Sequence, residues 1–118
     1  MILVGNSRDV EAKRYDDDEN VRDAEKRVLI GPKQDAPTFS MRKFTLGEGG
    51  FSPYHSHPWE HEVYVLDGHG EVRFAGGSRP VEPGDFVLVP PNDEHQFANT
   101  GSGALTFLCM VPLEGEDG

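Results

Sequence analysis

From residue 36 onward, glycine and proline cut this chain into short apolar runs, and none is long enough for a helix of several turns. "TFSMRKFTL" (38–46) alternates and ends in a glycine-rich turn, "GEGG". "EHEVYVL" (60–66), "EVRFA" (71–75), "RPVE", "FVLVP" (86–90), "HQFAN" (95–99) and "ALTFLCMVP" (104–112) follow, each bounded by turn-forming residues. With 14 glycines and 9 prolines among 118 residues, this is the punctuation of an all-β domain with tight turns and little or no helix. Roughly eight short antiparallel strands predict a sandwich or a jelly-roll barrel. "DG" between "EHEVYVL" and "EVRFA" predicts a hairpin at that point.

The length suits one domain, close to the lower limit for a self-sufficient core. Residues 36–113 read as the barrel and residues 1–35 as an N-terminal arm with one or two strands, a short one at 1–4 and another from "KRVLIGP". Residues 114–118 read as an acidic tail expected to fray. Several strands are apolar on both faces: in "LTFLCMV" neither face is polar. A sheet with one wet face alternates more cleanly. One face therefore lines the barrel and the other is covered, by the arm or by a second subunit, which predicts a homodimer.

Composition excludes some roles. No apolar stretch approaches the ~20 residues of a membrane span. "MILVGNSRD" has no basic region ahead of its apolar residues, unlike a secretory signal. The single cysteine, Cys109, rules out a disulfide within the chain and fits a reducing, cytoplasmic setting. A net charge of −10 would repel nucleic acids. The run "DDDE" (16–19) reads as a solvated loop rather than a cation site.

The chemistry concentrates in "HSHPWEHE" (55–62). His55 and His57 are two apart and share a face of an extended segment. In the strand that follows, His61, Val63 and Val65 take one face; Glu60, Glu62, Tyr64 and Leu66 take the other. The small apolar valines suit a barrel interior, so His61 is expected inside and the glutamates outside, unless a bulge breaks the alternation. Imidazole is the commonest ligand for transition metals. His95, opening a strand after "PPNDE", is the best fourth candidate. His69, at the tip of "DGHG", is expected in solvent. Alternation places Phe44, Val63, Phe97, Phe107 and Cys109 around the metal, with Trp59 and Tyr54 flanking the ligands as gate or rim. Cys109 reads as a small buried hydrophobe or as a pocket thiol. Arg42 reads as solvent-facing, with the anchoring of an anionic substrate as the other reading.

These segments resemble the cupins. "GFSPYHSHPWEHEVYVLDG" (50–68) fits the first cupin motif and "GDFVLVPPNDEHQFAN" (84–99) the second, with Asn92 standing where the pattern has glycine. Asparagine tolerates a left-handed backbone better than most residues. Where cupins usually carry a glutamate ligand, this chain has His61. It therefore resembles the small single-domain manganese cupins with four histidine ligands. The resemblance implies a homodimeric double-stranded β-helix, a jelly-roll barrel of six to eight strands with one divalent ion inside. The implied ion is manganese, with iron, zinc, nickel and copper as alternatives.

Four imidazoles leave a divalent ion its full +2 charge, and four protein ligands in an octahedral shell leave two adjacent positions open. Substrate together with dioxygen or peroxide would use both. The leading expectation is thus a metal-dependent oxidoreductase acting on a small organic substrate. A Lewis-acid isomerase or lyase, which would need a Glu, Lys or Tyr inside the pocket, and a non-catalytic binding module are the alternatives.

Overall fold

A computed structural model describes residues 1–116. Nine strands form one curled sheet among the described residues: β1 (Lys13–Tyr15), β2 (Arg22–Ile30), β3 (Phe39–Phe51), β4 (His61–Asp67), β5 (Gly70–Phe74), β6 (Gly77–Val81), β7 (Phe86–Val89), β8 (His95–Asn99) and β9 (Leu105–Pro112). Among the described residues the only helical pieces are three short 3-10 turns. None of the helices among these residues is long and apolar enough to cross a membrane. The order β6-β5-β8-β3-β9-β4-β7, with β2 and then β1 joined to β3, is the all-β jelly-roll plan expected from the strand punctuation.

Three local expectations fail, each because pairing is a long-range choice. "DGHG" does not close a hairpin. β4 pairs with β7 and β9, whereas β5 pairs with β6 and β8, so the Gly68 turn (φ +86°) carries the chain from one half of the barrel to the other. "GEGG" is no turn between strands but an interruption within β3. Arg22 pairs with Phe51 and Ala24 with Leu46, so two steps along β2 oppose five along β3, with Gly49 at φ +76° in the excess. Residues 1–4 form no strand and are exposed.

The arm is instead built into the sheet further along. β2 runs against β3 from Arg22 to Ile30 and carries β1 on its other edge. "DDDE" forms the turn before β2. The Asp17 carboxylate accepts the backbone N–H groups of Glu19, Asn20 and Val21, which holds its pKa down to about 2. Residues 117 and 118 of the expected tail lie outside the described residues. The expected fraying does not reach Glu116, which is buried.

The core follows the alternation. His61, Val63 and Val65 are buried on β4, while Glu62, Tyr64 and Leu66 are exposed. Alternate residues of β9 (Leu105, Phe107, Cys109, Val111) are buried against them. Phe107 stacks on Phe44 and contacts Phe97, at centroid distances of 5.5 and 4.9 Å; such ring pairs contribute about 0.5–1.5 kcal/mol each beyond their buried area.

Candidate metal centre

The segment from Ser52 to Trp59 runs irregularly between β3 and β4, and one isolated bridge ties it down. His55 and His95 exchange backbone hydrogen bonds of 3.1 and 2.9 Å, so the histidine that opens β8 stands directly opposite the first histidine of the cluster. The turn before β8 is held to the same segment by Asn92 N–H, which donates to the His57 carbonyl at 2.6 Å. Asn92 sits at φ +69°, the left-handed backbone that the turn requires.

His55, His57 and His95 each direct a ring nitrogen to a common region, all within 4.8 Å of one another. The Nε2 atoms of His55 and His57 are 3.1 Å apart. Two nitrogens bound to one ion at about 2.0–2.1 Å, at right angles, would stand about 3 Å apart, so this spacing fits a shared cation. Burial, with the neighbouring rings adding to it, lowers the His55 pKa to about 4 and lowers that of His57 as well. The ring nitrogens are therefore neutral donors at physiological pH, the state in which imidazole binds metals. The His95 Nδ1 is 3.0 Å from the Asp93 carbonyl, which occupies that nitrogen and turns the other inward.

His61 stands beside this trio, its ring centroid 4.9 Å from that of His95 and 5.1 Å from that of His57. Its Nε2 is buried and has no hydrogen-bond partner among the described residues. Burial, reinforced by His95 and Arg42, lowers its pKa to about 3. Its Nδ1 is 3.2 Å from the Cys109 Sγ. His69 is exposed and takes no part.

The histidines form one wall of a cavity of about 330 Å³. Phe44, Trp59, Phe97, Phe107 and Cys109 line it as well; Val63 is buried in the core but does not line it. Trp59 lies parallel to the His57 ring, and Tyr54 is exposed outside the lining. The N-terminal strands contribute Tyr15, Val21, Ala24 and Lys26, and the C-terminal turn contributes Glu114 and Gly115.

Arg42 overturns its solvent-facing expectation. It is 5% exposed and lines the cavity. Its Nη2 donates to the Cys109 sulfur (3.2 Å), its Nε to the Cys109 carbonyl (3.0 Å) and its Nη1 to Glu116 (3.1 Å). Glu116 also accepts from Lys26 and Ser40, both at 3.1 Å. Burial works against the Glu116 charge, yet the Lys26 hydrogen bond and the Arg42 charge outweigh it and hold the carboxyl below the usual range. Burial raises the Cys109 thiol despite Arg42. The alternation that placed Phe44 inside also places Arg42, two residues earlier, on the same face. Glu116 left no such signal, because its ending is neither strand nor helix.

The fold and the histidine cup define a cupin. The family model described as "Cupin domain" matches residues 42–111, and the chain belongs to that family. It is 38% identical over 77 residues to a 1-methylthio-D-xylulose 5-phosphate methylsulfurylase of Rhodospirillum rubrum, a match over 65% of this chain that spans about half (49%) of that relative's length. An L-ectoine synthase of Vibrio campbellii is 28% identical over 94 residues, 77% of this chain and 72% of that one. Among solved structures, a polyketide cyclase of Streptomyces resistomycificus superimposes with a TM-score of 0.86 at 28% identity, over 96% of this chain and 80% of that one.

Proposed function

We propose that this cupin is a metal-dependent enzyme of Lewis-acid type, acting on a small and largely apolar organic molecule. One observation carries the reading: a single cavity combines converging imidazoles, an aromatic lining, the Tyr15 hydroxyl and the Glu114 carboxyl. Those are the acid–base groups that a non-redox reaction needs and that the strand pattern after residue 36 does not supply. The names of the relatives, a cyclase, a synthase and a methylsulfurylase, support chemistry on small organic molecules.

In this proposal His55, His57 and His95 hold the ion, and His61 is the fourth ligand through its Nε2, which has no hydrogen-bond partner among the described residues. Manganese is the proposed ion, on the resemblance to the four-histidine cupins. A bound divalent ion would supply a +2 charge that no ligand neutralises, and with it polarisation of a substrate oxygen. The chain's own groups do the rest. Phe44, Phe97 and Phe107 hold the apolar body of the substrate and exclude water. Tyr15 and Glu114 take up and return protons at the pocket wall. The exposed apolar residues of the outer β4–β7 face, Tyr64, Leu66, Phe86 and Leu88, support a homodimer.

A second reading, a dioxygenase or peroxide-using oxidase, is favoured by the converging set itself, which consists of imidazoles alone. The test is to measure metal content by mass spectrometry and then turnover of enolisable and oxidisable small molecules by metal-loaded and metal-stripped protein, with dioxygen uptake recorded. Metal-dependent turnover without oxygen uptake supports the Lewis-acid reading, and uptake coupled to turnover supports the redox one. Ligand binding without turnover in either screen would make the chain a binding module.

A further inference from the structure

We infer that Cys109 is a positioning residue for His61. Its sulfur accepts the His61 Nδ1–H and so leaves the buried Nε2 with its lone pair available to a metal ion. The inference rests on the reading of His61 as the fourth ligand.

The arrangement follows from strand register. On β9, Cys109 lies directly opposite Arg42 of β3 on one side and Val63 of β4 on the other. His61 is two residues before Val63 and shares its inward face, so its ring reaches the same sulfur diagonally. The sulfur therefore sits between a cation and an imidazole, 3.2 Å from each. Arg42 has only donors, so the sulfur must accept from it. Arg42 cannot swing away. Its other nitrogens are held by the Cys109 carbonyl and by Glu116, and Glu116 is held in turn by Lys26 and Ser40. A fixed polar line thus runs from the C-terminal turn through Glu116, Arg42 and Cys109 to His61.

Two hydrogen placements satisfy the 3.2 Å contact between Nδ1 and sulfur. If the thiol donated to Nδ1, the ring proton would sit on Nε2, which is buried and has no acceptor among the described residues. With the proton on Nδ1, the ring donates to sulfur and Nε2 keeps its lone pair. The second placement leaves no buried N–H unpaired, and it alone leaves a nitrogen able to bind a metal. Ligating histidines characteristically give their other N–H to a carboxylate, carbonyl or water, which sets tautomer and ring angle. Here a thiol takes that place, and a buried arginine holds it still.

The test uses full-length, metal-free protein labelled with ¹⁵N-histidine, with long-range ¹H–¹⁵N correlations read at neutral pH, and then titration with Mn²⁺ and Co²⁺. Wild type and Cys109→Ser, which keeps an acceptor, are expected to show His61 with its proton on Nδ1. Cys109→Val, which fills the space without an acceptor, is expected to lose that single tautomer and to bind both ions about 10–100-fold more weakly, with Cys109→Ser within a few-fold of wild type. A wild-type proton on Nε2, or a Cys109→Val protein with unchanged tautomer, would overturn the inference even if its metal affinity fell, because packing would then be the cause. If Cys109→Val does not fold by circular dichroism, Cys109→Ala supplies the same comparison. His61→Ala separates the two readings: unchanged metal affinity there removes His61 from the ligand set, while the tautomer still decides the role of Cys109.

Discussion

The Trp59 indole lies flat against the His57 imidazole, with 4.9 Å between ring centroids and 7° between planes. Gly115 packs directly against the indole. A Cβ built there would lie 2.6 Å from Trp59 Nε1. The C-terminal turn, anchored by Glu116, thereby holds the indole on a candidate ligand. Trp59 is the only tryptophan, so its fluorescence reports the site without labelling. Adding Mn²⁺, Co²⁺ or Cu²⁺ to metal-free protein is expected to change the emission with one-to-one stoichiometry. Gly115→Ala should destabilise the fold by about 1–3 kcal/mol through overpacking and shift the emission of the metal-free protein. Chemical denaturation followed by fluorescence measures both; an unchanged spectrum would detach Gly115 from the Trp59 contact.

His61 and Glu62 are neighbours in sequence but point to opposite sides of β4, one buried and one exposed. His61→Ala is expected to lower metal affinity at least about tenfold, as the loss of even an outer partner of a ligand does. Glu62→Ala should leave it unchanged. Equal metal retention by the two variants, measured by mass spectrometry after dialysis, would remove His61 from the ligand set.

Glu116 ties the pH dependence of stability to the C-terminal turn. Its folded carboxyl is held below the ordinary value, so its contribution is fully present above the unfolded pKa of about 4.3. That contribution fades as pH falls through the lower, folded value. Glu116→Gln removes one partner from buried Arg42 and Lys26 and is expected to cost about 3–5 kcal/mol at neutral pH. The variant should also show a flatter loss of melting temperature between neutral pH and pH 3 than wild type. Parallel acid profiles for the two proteins would refute the role given to this carboxylate.

Phe86 is 85% and Leu88 60% exposed on β7, an edge strand of the sheet. Their side chains continue the exposed face of Tyr64 and Leu66. Phe86→Ser with Leu88→Ser is expected to shift the sedimentation coefficient from dimer to monomer while changing monomer stability by less than about 1 kcal/mol, since neither side chain is buried. A wild-type protein that sediments as a monomer would end the dimer proposal.

Much of this molecule is written in residue spacing. Period-two alternation is a local property of extended backbone, so His61, Val63 and Val65 could be assigned to the interior, and Glu62 and Tyr64 to the exterior, from spacing alone. The same rule placed Phe44 inside. Applied evenly it would have placed Arg42 there too, but a lone charge is expensive to bury, and only the tertiary structure shows the Glu116 carboxylate that makes its burial tolerable. The left-handed turn at Asn92 was legible from its place at a glycine position of the motif the chain resembles, since asparagine tolerates that backbone.

What spacing could not contain was which strand lies beside which. "DGHG" has hairpin chemistry, yet β4 pairs with β7 and β9, which lie far along the chain, and not with the neighbouring β5. The meeting of His55 with His95, the entry of Tyr15 and Lys26 into the cavity wall, and the line from Glu116 through Arg42 and Cys109 to His61 are all contacts between distant segments. Local alternation determined which side chains face inward. Long-range pairing, chosen by total burial and by satisfaction of buried polar groups, decided which of them meet.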